Sequence, residues 1–197
     1  MIYSAAAIVN IGGTSFNLSQ KQIKSIEFGT TTRDNECSLN FGVVEQNITL
    51  KFYDPNKYFS QLVSSGDDIE GTIITYENDG SNNSYEINGI EIDDTCTQVT
   101  LKGIDATRIL DEITIPKSSI ETRTVQQLLE IFFSYLPEQY RWEYKDEEVK
   151  SIVSGITIPN SWYRAGTLRE FLDKICVVGF LNIYHMNSVF YVMRGVV

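Results

Sequence analysis

The first hundred residues alternate apolar and polar positions with a period of two, interrupted by clusters of turn-forming residues. This pattern predicts half-buried antiparallel strands. AAAIVNI, the pair Gly12-Gly13 and TSFNL read as a hairpin, followed by strands in IKSIEFG and CSLNFG. In NITLKFYD, Ile48, Leu50 and Phe52 face one way and Thr49, Lys51 and Tyr53 the other, so one face is buried. Asp54-Pro55-Asn56 ends that strand, because proline lacks an amide donor and Asp and Asn favour turns. A short helix or loop, KYFSQLVSSGD, leads into GTIITYE and SYEINGIEI around the polar turn NDGSNN, and QVTLKGID completes the set. Strands at roughly 8–12-residue spacing predict a barrel or sandwich.

The periodicity then lengthens to that of helices. DATRILDEI opens a short helix, and Thr124 caps VQQLLEIFFSYL, whose Val125, Leu128, Leu129 and Phe132 share one face until Pro137 stops it. QYRWEY reads as a strand and KDEEVK as a charged loop. Thr167 caps a second helix, with Glu170 completing a capping box and Leu168, Phe171, Leu172 and Ile175 as its buried stripe; Gly179 ends it. FLNIYH and VFYVM, split at Met186-Asn187-Ser188, form a terminal hairpin. The expected fold class is therefore α+β, a mainly antiparallel β-barrel or sandwich over residues 1–112 followed by a small α/β domain over residues 113–197. The Pro/Ser-containing segment from Ile113 to Glu121 marks the boundary.

Charge and composition narrow the function. A net charge of −10 repels phosphate backbones, which argues against wrapping nucleic acid, while 42% hydrophobic residues are enough to build a core. The apolar runs fall far short of the ~20 residues that cross a bilayer, and no basic segment precedes the N-terminal one to make it a leader. Three scattered cysteines, Cys37, Cys96 and Cys176, lack metal-ligand spacing and read as buried thiols. His185 alone is available as a base and sits toward a hairpin tip, where a solvated side chain is the expectation. The acid pairs Asp67-Asp68, Asp93-Asp94 and Glu147-Glu148 read as loop charges, and no phosphate-binding glycine motif is present. The chain is therefore not expected to be an enzyme, and no metal or cofactor is expected. Tyr140, Trp142, Tyr144, Trp162 and Tyr163 form an aromatic set that could stack on sugars, which gives a carbohydrate- or host-receptor-binding module as the alternative reading.

One long pattern carries a resemblance. Gly42, Ile48, Thr49, Leu50, Asp54 and Phe59 are followed by Tyr85, Ile87, Gly89 and Ile90, and then by Val99, Thr100, Leu101, Gly103, Asp105 and Leu110. With the two helices TVQQLLEIFF and TLREFLDKI and the closing hairpin, this resembles phage tail hub and tail-tip proteins across nearly the whole chain. The resemblance implies a tail-tube-like barrel followed by a small α/β domain, in a virion component made in the bacterial cytoplasm that links tail tube to spike or fibres. It implies a homo-oligomeric ring, trimer or hexamer, with other tail proteins (tube, spike, fibre, tape measure) as partners and DNA only in passage. Such hubs usually carry a second barrel after the α/β part, which is not found here before Val197. The strands containing Ile26, Phe28, Ile48, Leu50 and Phe52 carry few protecting charges and are the candidate intersubunit edges, and Asp67, Asp68, Asp93 and Asp94 are the candidate lumen acids.

Overall fold

The computed structural model describes residues 6–11, 13–32, 41–59, 61, 71–76, 82–93, 95, 97–159, 161–163 and 165–195. The chain divides into two compact units, Met1–Thr30 with Gln46–Ala106, and Thr31–Glu45 with Thr107–Val197. A mixed sheet forming an open half-barrel is followed by a small α/β region with several short helices and strand hairpins.

The first unit is built from β1 (Ala6–Ile11), β2 (Thr14–Leu18), β3 (Ile23–Thr32), β4 (Gly42–Tyr53), β5 (Gly71–Tyr76), β6 (Asn82–Ile92) and β7 (Gln98–Ile104). The last two residues of β3 and the first four of β4 belong to the other unit. The spatial order is β2-β1-β5-β6-β7-β4, with β3 on the far side of β4. Among the described residues, β2 and β3 are the two ends of this sheet, and no pairing joins them into a closed barrel. The predicted alternation holds: Ile48, Leu50 and Phe52 meet Val9, Ile73, Tyr85, Val99 and Leu101 in one buried cluster. Burying these eight side chains stabilises the folded unit by roughly 1.5–3 kcal/mol each. Between Ile87 and Gly89 the β6–β7 register shifts by a bulge, a device that sharpens strand bend and twist.

The second unit contains α1 (Ile109–Glu112), entered by a 3₁₀ turn at Ala106–Arg108, then α2 (Val125–Phe133), α3 (Glu147–Gly155) and α4 (Leu168–Gly179). Its strands are β8 (Arg141–Tyr144), β9 (Leu181–Met186) and β10 (Val189–Arg194). β8 runs parallel to β10, β10 antiparallel to β9, and β9 parallel to residues 42–44 of β4. Both predicted caps form: the Thr124 and Thr167 side chains accept from the Gln127 and Glu170 N–H groups, and those residues' side chains return to the cap backbone. The segment expected as a charged loop, KDEEVK, instead opens α3. Asp146 accepts from the Val149 N–H at 2.9 Å, and Val149 and Val153 are buried. Acids at the first turn favour the helix N-terminus electrostatically, so the charge run that looked like a loop is a helix start.

Gly179 is the last residue of α4, as expected, but the left-handed position falls on Phe180 (φ 54°). Gly179 is needed for space, since a Cβ there would lie 2.9–3.0 Å from Leu181 and 3.3 Å from Val125. Asn187 and Ser188, both with positive φ, make the tight turn of the terminal hairpin.

Candidate functional site

A sheet with two unpaired ends is a surface that can extend by accepting another strand. At one end, β3 presents Phe28, 60% exposed and tilted against the buried Tyr85 ring at 6.3 Å. Ile26 on the same strand is half-buried against the core. Ile48, Leu50 and Phe52 do not share that situation. They lie on β4, which is flanked by β7 and β3, and their side chains are in the core. Of the two strands picked out for their lack of protecting charges, only β3 is therefore an edge; the inward hydrophobicity of β4 reflects core packing. At the other end, Ile11 and Thr14 close the β1–β2 hairpin, so the alternate residues Ser15 and Asn17 direct their main-chain groups away from β1.

The candidate lumen acids divide. Asp67, Asp68 and Asp94 lie outside the described residues. Asp93 organises the β6–β7 turn: one carboxylate oxygen accepts from the Thr97 and Gln98 N–H groups at 2.9 Å each, and the other from the Thr95 hydroxyl at 2.6 Å. These bonds, led by the one from Thr95, hold its pKa below the usual aspartate value. Charge is nonetheless concentrated by unit: five Lys and Arg face twelve Asp and Glu in the first, against eleven and fourteen in the second.

Three of the aromatic set, Tyr140, Trp142 and Tyr144, belong to the packing of the second unit. Trp142 stacks on the buried Phe133 at 4.8 Å, Tyr144 meets Trp142 edge-on at 5.2 Å, and Tyr140 packs on Phe190 at 5.7 Å. All three are half-buried. The Tyr144 hydroxyl is pushed up to about 12, by burial first and by Glu130 second. Trp162 and Tyr163 lie on the strand Ser161–Tyr163, paired with Ser118–Ile120, and their side chains fall outside the described residues.

His185 is not a solvated tip residue. It is 7% exposed on β9, flanked by Phe190 at 5.0 Å and Tyr140 at 6.0 Å, and its Nε2 has no hydrogen-bond partner. The strand alternation that buries Ile183 also buries His185, and burial lowers its pKa to about 4. Among the described residues no group of three or more His, Cys, Asp or Glu could hold a metal ion. Cys176 is a buried free thiol, its pKa raised by burial and by the nearby Asp173 carboxylate. Among the described residues no helix is long and apolar enough to cross a membrane.

Sequence reasoning missed Arg169, a buried cation. At 2% exposure it donates to Asp111 at 2.9 Å and to the Thr107 carbonyl at 2.8 Å, with Glu45 at 3.6 Å. One helical turn on, the Asp173 carboxylate accepts from the Val43 N–H at 2.7 Å. Beside it Gly42 (φ 151°) leaves room that a Cβ, only 2.9 Å from Asp173 Oδ1, would fill. Arg169 flanks the predicted stripe of Leu168, Phe171, Leu172 and Ile175, and the buried face of α4 is wider than that stripe, taking in Arg169, Asp173 and Cys176 as well. Together these bonds tie α1 and the first residues of β4 to α4 within the second unit, a structural role.

No protein-family model and no curated protein sequence matches the chain. Solved structures do. A tail protein from Neisseria meningitidis MC58 superposes with a TM-score of 0.56 at 12% identity, over 96% of this chain and 50% of that one. The 43 kDa tail protein of prophage MuSo2 from Shewanella oneidensis gives 0.56 at 11% identity, over 97% and 56%. Prophage tail protein gp18 from Listeria monocytogenes EGD-e gives 0.60 at 10% identity, over 96% and 50%. The chain thus spans about half the length of these proteins, and over that span it shares their fold.

Proposed function

We propose that this chain is a structural, non-enzymatic component of a phage or phage-like tail, a hub or tail-tip protein joining the tail tube to a spike or fibres. The observation that carries the reading is the shared fold over nearly the whole chain with three tail proteins, two of them from prophages. In this proposal residues 1–112 act as a tube-like barrel and residues 113–197 as an accessory α/β domain. Copies assemble into a ring, a trimer or a hexamer, through the open ends of the first unit's sheet. Other partners are tail proteins, and DNA passes through the lumen without being held. The acidic balance of the first unit fits a conduit that repels a phosphate backbone, with Asp67, Asp68, Asp93 and Asp94 among the acids that would contribute.

Light scattering and negative-stain imaging of the purified protein, alone and mixed with tail tubes, test this. Rings with a central hole, or caps on tube ends, are the expected result. A monomer at every accessible concentration that also ignores tube ends would overturn the reading.

A further inference from the structure

The sheet of the second unit ends on β8, and the far side of that strand is open. The Arg141 N–H donates to the Ser188 carbonyl at 3.0 Å and the Lys145 N–H to that of Val192 at 2.8 Å. Arg141, Glu143 and Lys145 thus direct their main-chain groups to β10, and strand alternation turns those of Trp142 and Tyr144 the other way. Among the described residues no strand pairs with β8 on that side. Such an edge is a template for another chain unless its side chains forbid it.

The side chains here favour one chain in particular. Trp142 and Tyr144 pack on the helices, so Arg141 and Glu143 lie on the opposite face of β8. Both are exposed, and neither has an ion-pair partner among the described residues. Lys145, next on that face, is already engaged 5.3 Å above the Tyr191 ring. Antiparallel pairing of two copies centred on Glu143 would set like charges against each other. Centred on Trp142, it sets each Arg141 against the partner copy's Glu143, twice by symmetry. In that register the two Trp142 main chains exchange both of their hydrogen bonds, and the charged pairs take the closer, non-hydrogen-bonded positions. Trp142 stacks on Phe133 at 4.8 Å yet is only half-buried, and a second Trp142 beside it covers ring surface now left to solvent.

We infer that β8 is a self-association edge, where two copies join antiparallel about a twofold axis at Trp142 and the second unit's sheet runs from one copy into the next. The inference does not rest on ring formation, which belongs to the first unit, and each can fail without the other. The test is sedimentation velocity, from about 1 to 200 µM, of the full chain carrying Phe28→Lys, the change expected to break assembly through β3. This parent should show a monomer–dimer equilibrium with a Kd on the order of 10–100 µM. Arg141→Glu or Glu143→Arg turns both attractive pairs into like-charge pairs and should raise the Kd about tenfold or more. The two single variants mixed in equal amounts should dimerise again, because each supplies the charge the other lacks, and so should the double variant with the swapped order. Both positions are exposed, and unchanged urea unfolding certifies the fold of each variant. Any larger assembly that survives Phe28→Lys is common to all these chains, so the comparison reads β8 alone. A parent that stays monomeric throughout the range, single variants that dimerise as well as the parent, or a mixture that stays monomeric would each overturn it.

Discussion

His185 makes the protein's stability depend on pH in a calculable direction. Its folded pKa of about 4 lies below the ordinary value of 6.5, so the unfolded chain takes up the proton first. The stabilisation from the neutral buried ring is complete above pH ~6.5 and is lost as pH falls through ~4, up to about 3 kcal/mol. Both tryptophans, Trp142 and Trp162, lie in the second unit with His185, so their fluorescence reports its unfolding. Between pH 7 and pH 4.5, urea unfolding of the wild type should lose about 2 kcal/mol more than that of His185→Phe, whose carboxylates titrate identically. Equal losses would mean that the ring is hydrated in solution. Arg169 supplies a second residue-scale contrast. Arg169→Ala removes a 2% exposed guanidinium from between the partly exposed Asp111 and Glu45 and should cost about 3 kcal/mol, whereas Arg108→Ala, a half-exposed residue ion-paired with Glu112, should cost under about 1 kcal/mol.

At the scale of elements, local rules were read well wherever the signal was local. Thr124 and Thr167 cap where the sequence placed them, and either alanine variant should lower the second unit's stability by about 1 kcal/mol in the same fluorescence assay. The hairpins at Gly12-Gly13 and Asn187-Ser188 were also legible, because turn chemistry is written in the turn itself. KDEEVK was misread because a short amphipathic helix of nine residues exposes most of its length, and only Val149 and Val153 betray its buried face. His185 and the β4 residues were misplaced for a shared reason. Alternation says which side chains share a face, but neither what covers that face nor which strands lie alongside, and both depend on pairings between distant segments. The contact of Phe16 with Tyr58, ring centroids 4.6 Å apart, was invisible for the same cause: the two are 42 positions apart and meet only after folding.

For the whole molecule, the arrangement of strand ends decides how copies could join. Assembly through β3 requires its outer edge and the protruding Phe28 to meet a neighbour, whereas β4, flanked on both sides, is not available. Phe28→Lys places a charge at a position 60% exposed, so the isolated protomer should keep its stability within about 0.5 kcal/mol. In a joined sheet the same charge would be desolvated without a partner, at a cost of several kcal/mol per interface, repeated round the ring. Ile26→Lys is the harsher version, because Ile26 also packs against the core and its loss should lower protomer stability as well. The expected pattern is thus dissociated rings for both variants and a weakened protomer only for Ile26→Lys, read by light scattering and urea unfolding on the same samples. Rings that survive Phe28→Lys would move the joint away from β3 to some other surface. Because the first unit is acidic, added salt should also strengthen ring formation by screening repulsion between copies, an effect that a predominantly apolar joint far from those charges would not show.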